Sequence, residues 1–272
     1  MDKPNILISP EELQRQLAQQ GQVIVDLSKP ELYAAGHIPG AVHLDYAQVV
    51  RHQPPVMGLL PDEAGFAQTL AACGIGPETR VIAYDDEGGG KAGRLLWTLA
   101  ACGHEHWALL DGGRSAWQAS AGPMEQSVVT PAASEPYPVS FAASPVVAER
   151  DYILAHLDDP GVALLDARSA AEYQGLDRRA ARAGHIPGAV NLDWLELMDH
   201  QRQLRLKPAE QLLATLAQLG IRREQEVIVY CHSHHRSALS FVALKALGFE
   251  RVRGYPGAWS DWGNQPDTPI ET

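Results

Sequence analysis

Four short runs of β-branched and aliphatic residues, at 23–27, 81–84, 163–166 and 227–230, stand out along the chain, and stretches with helical spacing lie between them. Runs of this length without polar alternation read as strands buried on both faces. Ser9-Pro10-Glu11-Glu12 has the form of a capping box with proline at the first helical position, and Pro208 opens a helix through Leu219 that stops at Gly220. Strands alternating with helices predict an α/β architecture, a small parallel sheet with helices on both faces.

The pattern is written twice. GHIPGAV occurs at 36–42 and again at 184–190, each time followed closely by Leu-Asp (Leu44-Asp45, Leu192-Asp193). Upstream, VIVDLSKPELYAA matches ALLDARSAAEYQG; downstream, VIAYD ending at Asp85 matches VIVYC ending at Cys231. The spacing agrees too, with 48 positions from His37 to Asp85 and 46 from His185 to Cys231. These are two copies of one unit. Residues 122–146 carry five prolines and little periodicity, as an extended connector does. The expected organisation is a first domain over 1–121, a connector over 122–146 and a second domain over 147–272.

Composition narrows the function. With 272 residues, 45% of them hydrophobic and 20% charged, the chain can bury two ordinary cores. A net charge of −11 speaks against nucleic acid or an anionic membrane as partner, so any anion site must be a local exception. Three cysteines are too few for a disulfide framework and leave at least one thiol free. No secretory apolar segment and no run long enough to span a membrane is visible, so a cytoplasmic protein is expected, and a monomer is the expected assembly.

In such sheets ligands sit beyond the carboxyl ends of the strands, where a strand hands over to a helix. In the second copy that junction reads Cys231-His232-Ser233-His234-His235-Arg236-Ser237; in the first it reads Asp85-Asp86-Glu87-Gly88-Gly89-Gly90-Lys91. A cysteine at a helix N-terminus has its thiolate favoured by the dipole and by converging N–H groups, and Arg236 adds a permanent forked cation. Cys231 is therefore the candidate nucleophile. Cys73 and Cys102 align with Leu219 and Leu247 and read as packing residues. The acidic first-copy loop reads as a solvated turn.

Tandem copies, the D-x-R segment with its degenerate first-copy form, GHIPGA, the strand ending in cysteine, the CxxxxR loop and a late Gly-x-x-x-x-Trp (112–117, 254–259) together resemble the rhodanese family, above all its two-domain bacterial members with a His-His-Arg loop. The resemblance covers the whole chain. It implies two tandem rhodanese-like domains, a silent first copy with Asp85 in place of cysteine, and sulfur transfer from thiosulfate to cyanide or another thiophile by double displacement through a Cys231 persulfide. It implies no metal and no organic cofactor. A carrier handing persulfide sulfur to a partner protein and a 3-mercaptopyruvate sulfurtransferase are alternatives. The related phosphatases and arsenate reductases use five residues between cysteine and arginine, against four here, which makes that reading remote.

Further site residues follow. His232, Ser233, His234 and His235 line the loop and are expected to contact substrate. Arg178, Arg179 and Arg182, in an insertion absent from the first copy, are expected to hang over the same strand ends, and Trp194 to wall the pocket. Asp166 and Arg168 of D-x-R read as an internal acceptor and its partner, and His185, present with His37 in both copies, as structural. A zinc site is disfavoured because tight-turn side chains radiate outward. Family members of mammalian type carry basic residues one and two places after the cysteine and an arginine before the aromatic of the D-x-R segment; here these positions hold His232, Ser233 and Glu172.

Overall fold

The structure is a computed structural model that describes residues 6–131 and 138–272, so part of the expected connector lies outside the described residues. In chain order the strands are β1 (Leu7–Ile8), β2 (Gln22–Asp26), β3 (Val42–His43), β4 (Arg51–Gln53), β5 (Val56–Leu59), β6 (Arg80–Tyr84), β7 (Trp107–Leu110), β8 (Val162–Asp166), β9 (Val190–Asn191), β10 (Met198–Asp199), β11 (Arg205–Leu206), β12 (Glu226–Tyr230) and β13 (Val252–Gly254). The α-helices are α1 (Pro10–Gln16), α2 (Pro30–Ala35), α3 (Glu63–Ala72), α4 (Gly90–Ala101), α5 (Gly113–Ala119), α6 (Arg150–Ala155), α7 (Ala170–Tyr173), α8 (Ala209–Gln218), α9 (Arg236–Ala246) and α10 (Ala258–Trp262).

Two compact units form. In the first, a parallel sheet has the order β1-β7-β6-β2-β3, and in the second the order is β13-β12-β8-β9, again parallel. The four apolar runs of the sequence are the central strands. Val81 to Tyr84 and Val227 to Tyr230 are wholly buried, and each such aliphatic side chain contributes on the order of 1.5–3 kcal/mol. Crossing back between parallel neighbours requires a helix-length connection, which is why helices surround each sheet. The capping box of α1 forms as read: Ser9 Oγ accepts from the Glu12 N–H and the Glu12 carboxylate accepts from the Ser9 N–H at 2.9 Å. α8 begins one residue after Pro208, which caps it, and ends at Gln218 with Leu219 as its C-cap. Cys73 and Cys102 cap α3 and α4 as Leu219 and Leu247 cap α8 and α9.

The units are not contiguous stretches of chain. The first takes residues up to Val50, Pro61–Ser144 and Asp199–Leu206; the second takes Arg51–Leu60, Pro145–Met198 and Lys207–Thr272. Within the first, the Leu206 N–H donates to Asp111 at 2.8 Å and Arg205 pairs with Glu11 at 2.9 Å. Within the second, the β4–β5 hairpin is fixed by the Met57 N–H donating to Ser260 Oγ at 2.9 Å. A Cβ at Gly58 would overlap the backbone carbonyls of Ser233 and Pro256, so glycine is what allows β5 to approach the loop after β12.

The repeated GHIPGA is a clasp. His37 stacks on Tyr33 at 3.8 Å, pairs its Nδ1 with the Tyr33 carbonyl at 3.0 Å and lies 3.7 Å from Glu125. His185 does the same with Tyr173 (3.7 Å and 2.9 Å) and Glu271 (3.6 Å). The carbonyl before each histidine receives a buried arginine, but from different places. Arg168 of D-x-R donates to the Gly184 carbonyl at 2.8 Å and to Asp166 at 2.6 Å. The first copy has Ser28 at that position, and Arg114, from the start of α5, donates to the Gly36 carbonyl instead.

Candidate functional site

The loop after β12 carries the chemistry. Cys231 ends the strand with 1% exposure, five residues separate Tyr230 from α9, and Arg236 is the first residue of that helix. The backbone N–H groups of Ser233 and Ser237, the Ser237 hydroxyl and the Arg236 guanidinium all act on the Cys231 sulfur in the direction that favours its anion. Burial pushes the thiol up, but the Arg236 charge and these donors outweigh it, so the thiol sits below its ordinary range. A loop that directs donors inward in this way favours an anion on the sulfur.

Arg236 is not a free cation. Its two terminal nitrogens donate to the Glu172 carboxylate at 2.6 and 2.9 Å, in bidentate geometry. Glu172 is 2% exposed, and although burial alone would raise its pKa, Arg236 and the Ser169 N–H bring it down to about 2. It is also the third residue of α7, whose capping box pairs it with Ser169. One carboxylate thus ties the start of α7 to the guanidinium of α9. In the sequence Glu172 shows only as a departure in charge; the Ser169-x-x-Glu172 capping pattern is legible there, its distant arginine partner is not.

The remaining expected residues fall into two groups. His232, Ser233, His235 and Arg236 are partly exposed on the loop, and Trp194 faces the His235 ring at 5.9 Å. His234 turns inward with 0% exposure, and its Nδ1 lies 2.8 Å from Ser237 Oγ. His232 is held below the ordinary histidine range, chiefly by burial, with the charges of Arg236, Arg168 and Arg179 adding to it against the pull of Glu172. Of the insertion arginines, Arg179 is near enough to bear on the loop and pairs with Asp177 at 3.1 Å. Arg178 is engaged by the carbonyls of Ala180 and Ala181. Arg182 donates to the Thr268 carbonyl at 2.8 Å and to the Trp262 carbonyl, holding the C-terminal segment. Asp166 and Arg168 are fully buried, with Arg168 stacked over Trp259 at 4.4 Å, and His185 belongs to the clasp. Among the described residues no group of three or more His, Cys, Asp or Glu is placed to hold a metal ion, and no helix is long and apolar enough to cross a membrane.

The first-copy loop differs from the solvated turn expected of DDEGGG. Asp85 is 1% exposed and points into its own loop, where its carboxylate accepts from the N–H groups of Glu87 (3.0 Å), Gly89 (2.8 Å) and Ala92 (2.9 Å). Burial, with the neighbouring Glu87, holds this carboxyl above its ordinary range against the pull of the three donors. The backbone cradle is intact there, and a side chain fills it.

A model of the rhodanese-like domain matches residues 9–120 and 149–265. A thiosulfate sulfurtransferase of Pseudomonas aeruginosa is 42% identical over 266 residues, 98% of this chain and 97% of that protein. The sulfur carrier protein TtuD of Thermus thermophilus is 32% identical over 280 residues, covering 98% and 96%. An anaerobic ergothioneine biosynthesis enzyme from Chlorobium limicola, 21% identical, shares the fold with a TM-score of 0.88 over 100% of this chain and 71% of that one. Two matched domains, near-complete coverage by relatives and the loop geometry converge on one assignment: the chain belongs to the rhodanese family.

Proposed function

We propose that the protein is a thiosulfate sulfurtransferase in which Cys231 is the nucleophile and sulfur carrier and Arg236 the fixed cation. The observation that carries this reading is the buried Cys231 sulfur, ringed by inward donors at the start of α9 and favoured as the thiolate. The thiolate attacks the outer sulfur of thiosulfate, a new S–S bond forms on Cys231, and the old S–S bond breaks with its electron pair leaving on sulfite. Cyanide or another thiophile then attacks the terminal persulfide sulfur; thiocyanate departs when cyanide is the acceptor, and the Cys231 thiolate returns. Ser233 N–H, Ser237 and Arg236 offset the negative charge on sulfur through both steps, as an oxyanion hole does. His232, Ser233, His235 and Trp194 face the incoming donor, with Arg179 adding charge at the rim. His234, Asp166, Arg168 and His185 support the loop from behind.

No step calls for a metal or organic cofactor. The second reading, favoured by the similarity to a protein named as a sulfur carrier, is delivery of the persulfide sulfur to a protein acceptor. Both need the same Cys231 persulfide, and three free cysteines with no disulfide fit a reducing compartment, which supports the cytoplasm. Thiocyanate release from thiosulfate and cyanide, compared between the wild type and Cys231→Ala, tests the reading: turnover is expected to vanish in the variant. Turnover that survives the substitution refutes it, and a persulfide on Cys231 without turnover supports the carrier.

A further inference from the structure

Ser237 has one hydroxyl proton and two demands on it. As the second residue of α9 it is free to turn that proton back toward a carbonyl in the preceding turn, as helix serines do. Stabilising the Cys231 sulfur requires the proton to point the other way, and the hydroxyl oxygen then has room to accept. His234 fills that role, with Nδ1 at 2.8 Å from Ser237 Oγ and a ring that is 0% exposed. Its placement carries a cost. His234 has φ of 51°, in the left-handed region that favours glycine, and the first copy has Gly88 at the matching position with φ of 95°. A side chain held in such a conformation points to a task for the imidazole. The first copy, which has no sulfur to serve, has Lys91 where Ser237 stands.

We propose that His234 is a positioning residue that donates from Nδ1 to Ser237 Oγ and so keeps the serine hydroxyl aimed at the Cys231 sulfur. The chain of contacts is imidazole to hydroxyl to thiolate, with no net proton transfer. This rests on the reading of Cys231 as the sulfur acceptor and adds to it a reason why the loop contains a buried histidine. The charged and titratable groups facing the cluster are Arg236 on α9, Glu172 behind it on α7, His232 in the loop, and Arg168 and Arg179 beside His232. All are retained in the variants below.

The test is the ionisation of Cys231, read as ultraviolet thiolate absorbance against pH with each protein's Cys231→Ala partner subtracted. It needs no turnover, so it stands or falls separately from the sulfurtransferase reading. Ser237→Ala is expected to raise the midpoint by about one unit, a tenfold loss of thiolate below it. His234→Gly keeps the backbone conformation and removes the donor, and is expected to raise it similarly. His234→Asn tolerates the left-handed backbone and offers an amide N–H near the Nδ1 position, and is expected to restore the wild-type midpoint. The double variant Ser237→Ala/His234→Gly should move no further than Ser237→Ala alone. A wild-type midpoint in His234→Gly, additive shifts in the double variant, or no rescue by asparagine would overturn the proposal.

Discussion

The loops after β6 and β12 have the same length, lead into helices of similar size and both direct backbone N–H groups inward, yet one holds an aspartate and the other a cysteine. The difference extends beyond that residue. Where the second copy has Glu172, His234, Arg236 and Ser237, the first has Leu32, Gly88, Gly90 and Lys91. The carboxylate, its guanidinium partner, the buried imidazole and the hydroxyl are absent together. Backbone geometry makes an anion cradle; what makes it chemically usable is a nucleophilic sulfur and side chains that tune it. The Asp85 carboxyl fills that cradle from within, so the first loop is closed to a ligand.

The largest expected effect comes from moving the cysteine. In a Cys231→Ala background, Asp85→Cys is expected to leave thiocyanate release at the background of the single variant, because the first loop lacks Arg236 and Ser237 equivalents. Recovery of turnover would break the comparison by showing that the cradle and a thiol suffice. Next comes Asp85→Ala, which leaves three N–H groups, two of them buried, without their acceptor and is expected to cost about 3 kcal/mol in denaturant unfolding. Sulfate should recover more stability in this variant than in the wild type, since it can enter the vacated cradle; equal gains in both would show that the loop collapses instead.

A smaller loss, about 2 kcal/mol near neutral pH, is expected for Glu172→Gln, which breaks the ion pair but keeps one hydrogen bond to Arg236. The sign of its pH dependence follows from Glu172 being held down to about 2 from an ordinary 4.5. A depressed carboxyl contributes stability that is present above the unfolded value and lost as pH falls through the folded one. The difference between wild type and Glu172→Gln should therefore shrink as pH falls from 4.5 toward 2; a constant difference across that window would mean the carboxylate is not what the pair depends on.

The sheets, the repeat and the cysteine-bearing turn were legible because each is local: β-branched runs, a repeated heptapeptide, and a polar loop between a strand and a helix. The boundaries of the packed units were not, since Gly58 meets the Ser233 carbonyl from 175 positions away and nothing in its neighbourhood announces that partner. Glu172 and Arg236, 64 positions apart, hide for the same reason. Asp85 misled for another. A run of acids and glycines reads as hydrophilic, and only the fold shows that the first carboxylate turns back onto its own amides instead of toward water.

The clasp arginines have a consequence for how duplicated chains drift. Arg168 and Arg114 reach corresponding carbonyls from unrelated places in the two copies. What is held fixed is the need of a buried oxygen for a donor, and the address of the residue that meets it is free to wander. A copy whose D-x-R has lost its arginine therefore keeps the bond to that carbonyl from another address, though not the buried pair that Asp166 and Arg168 make.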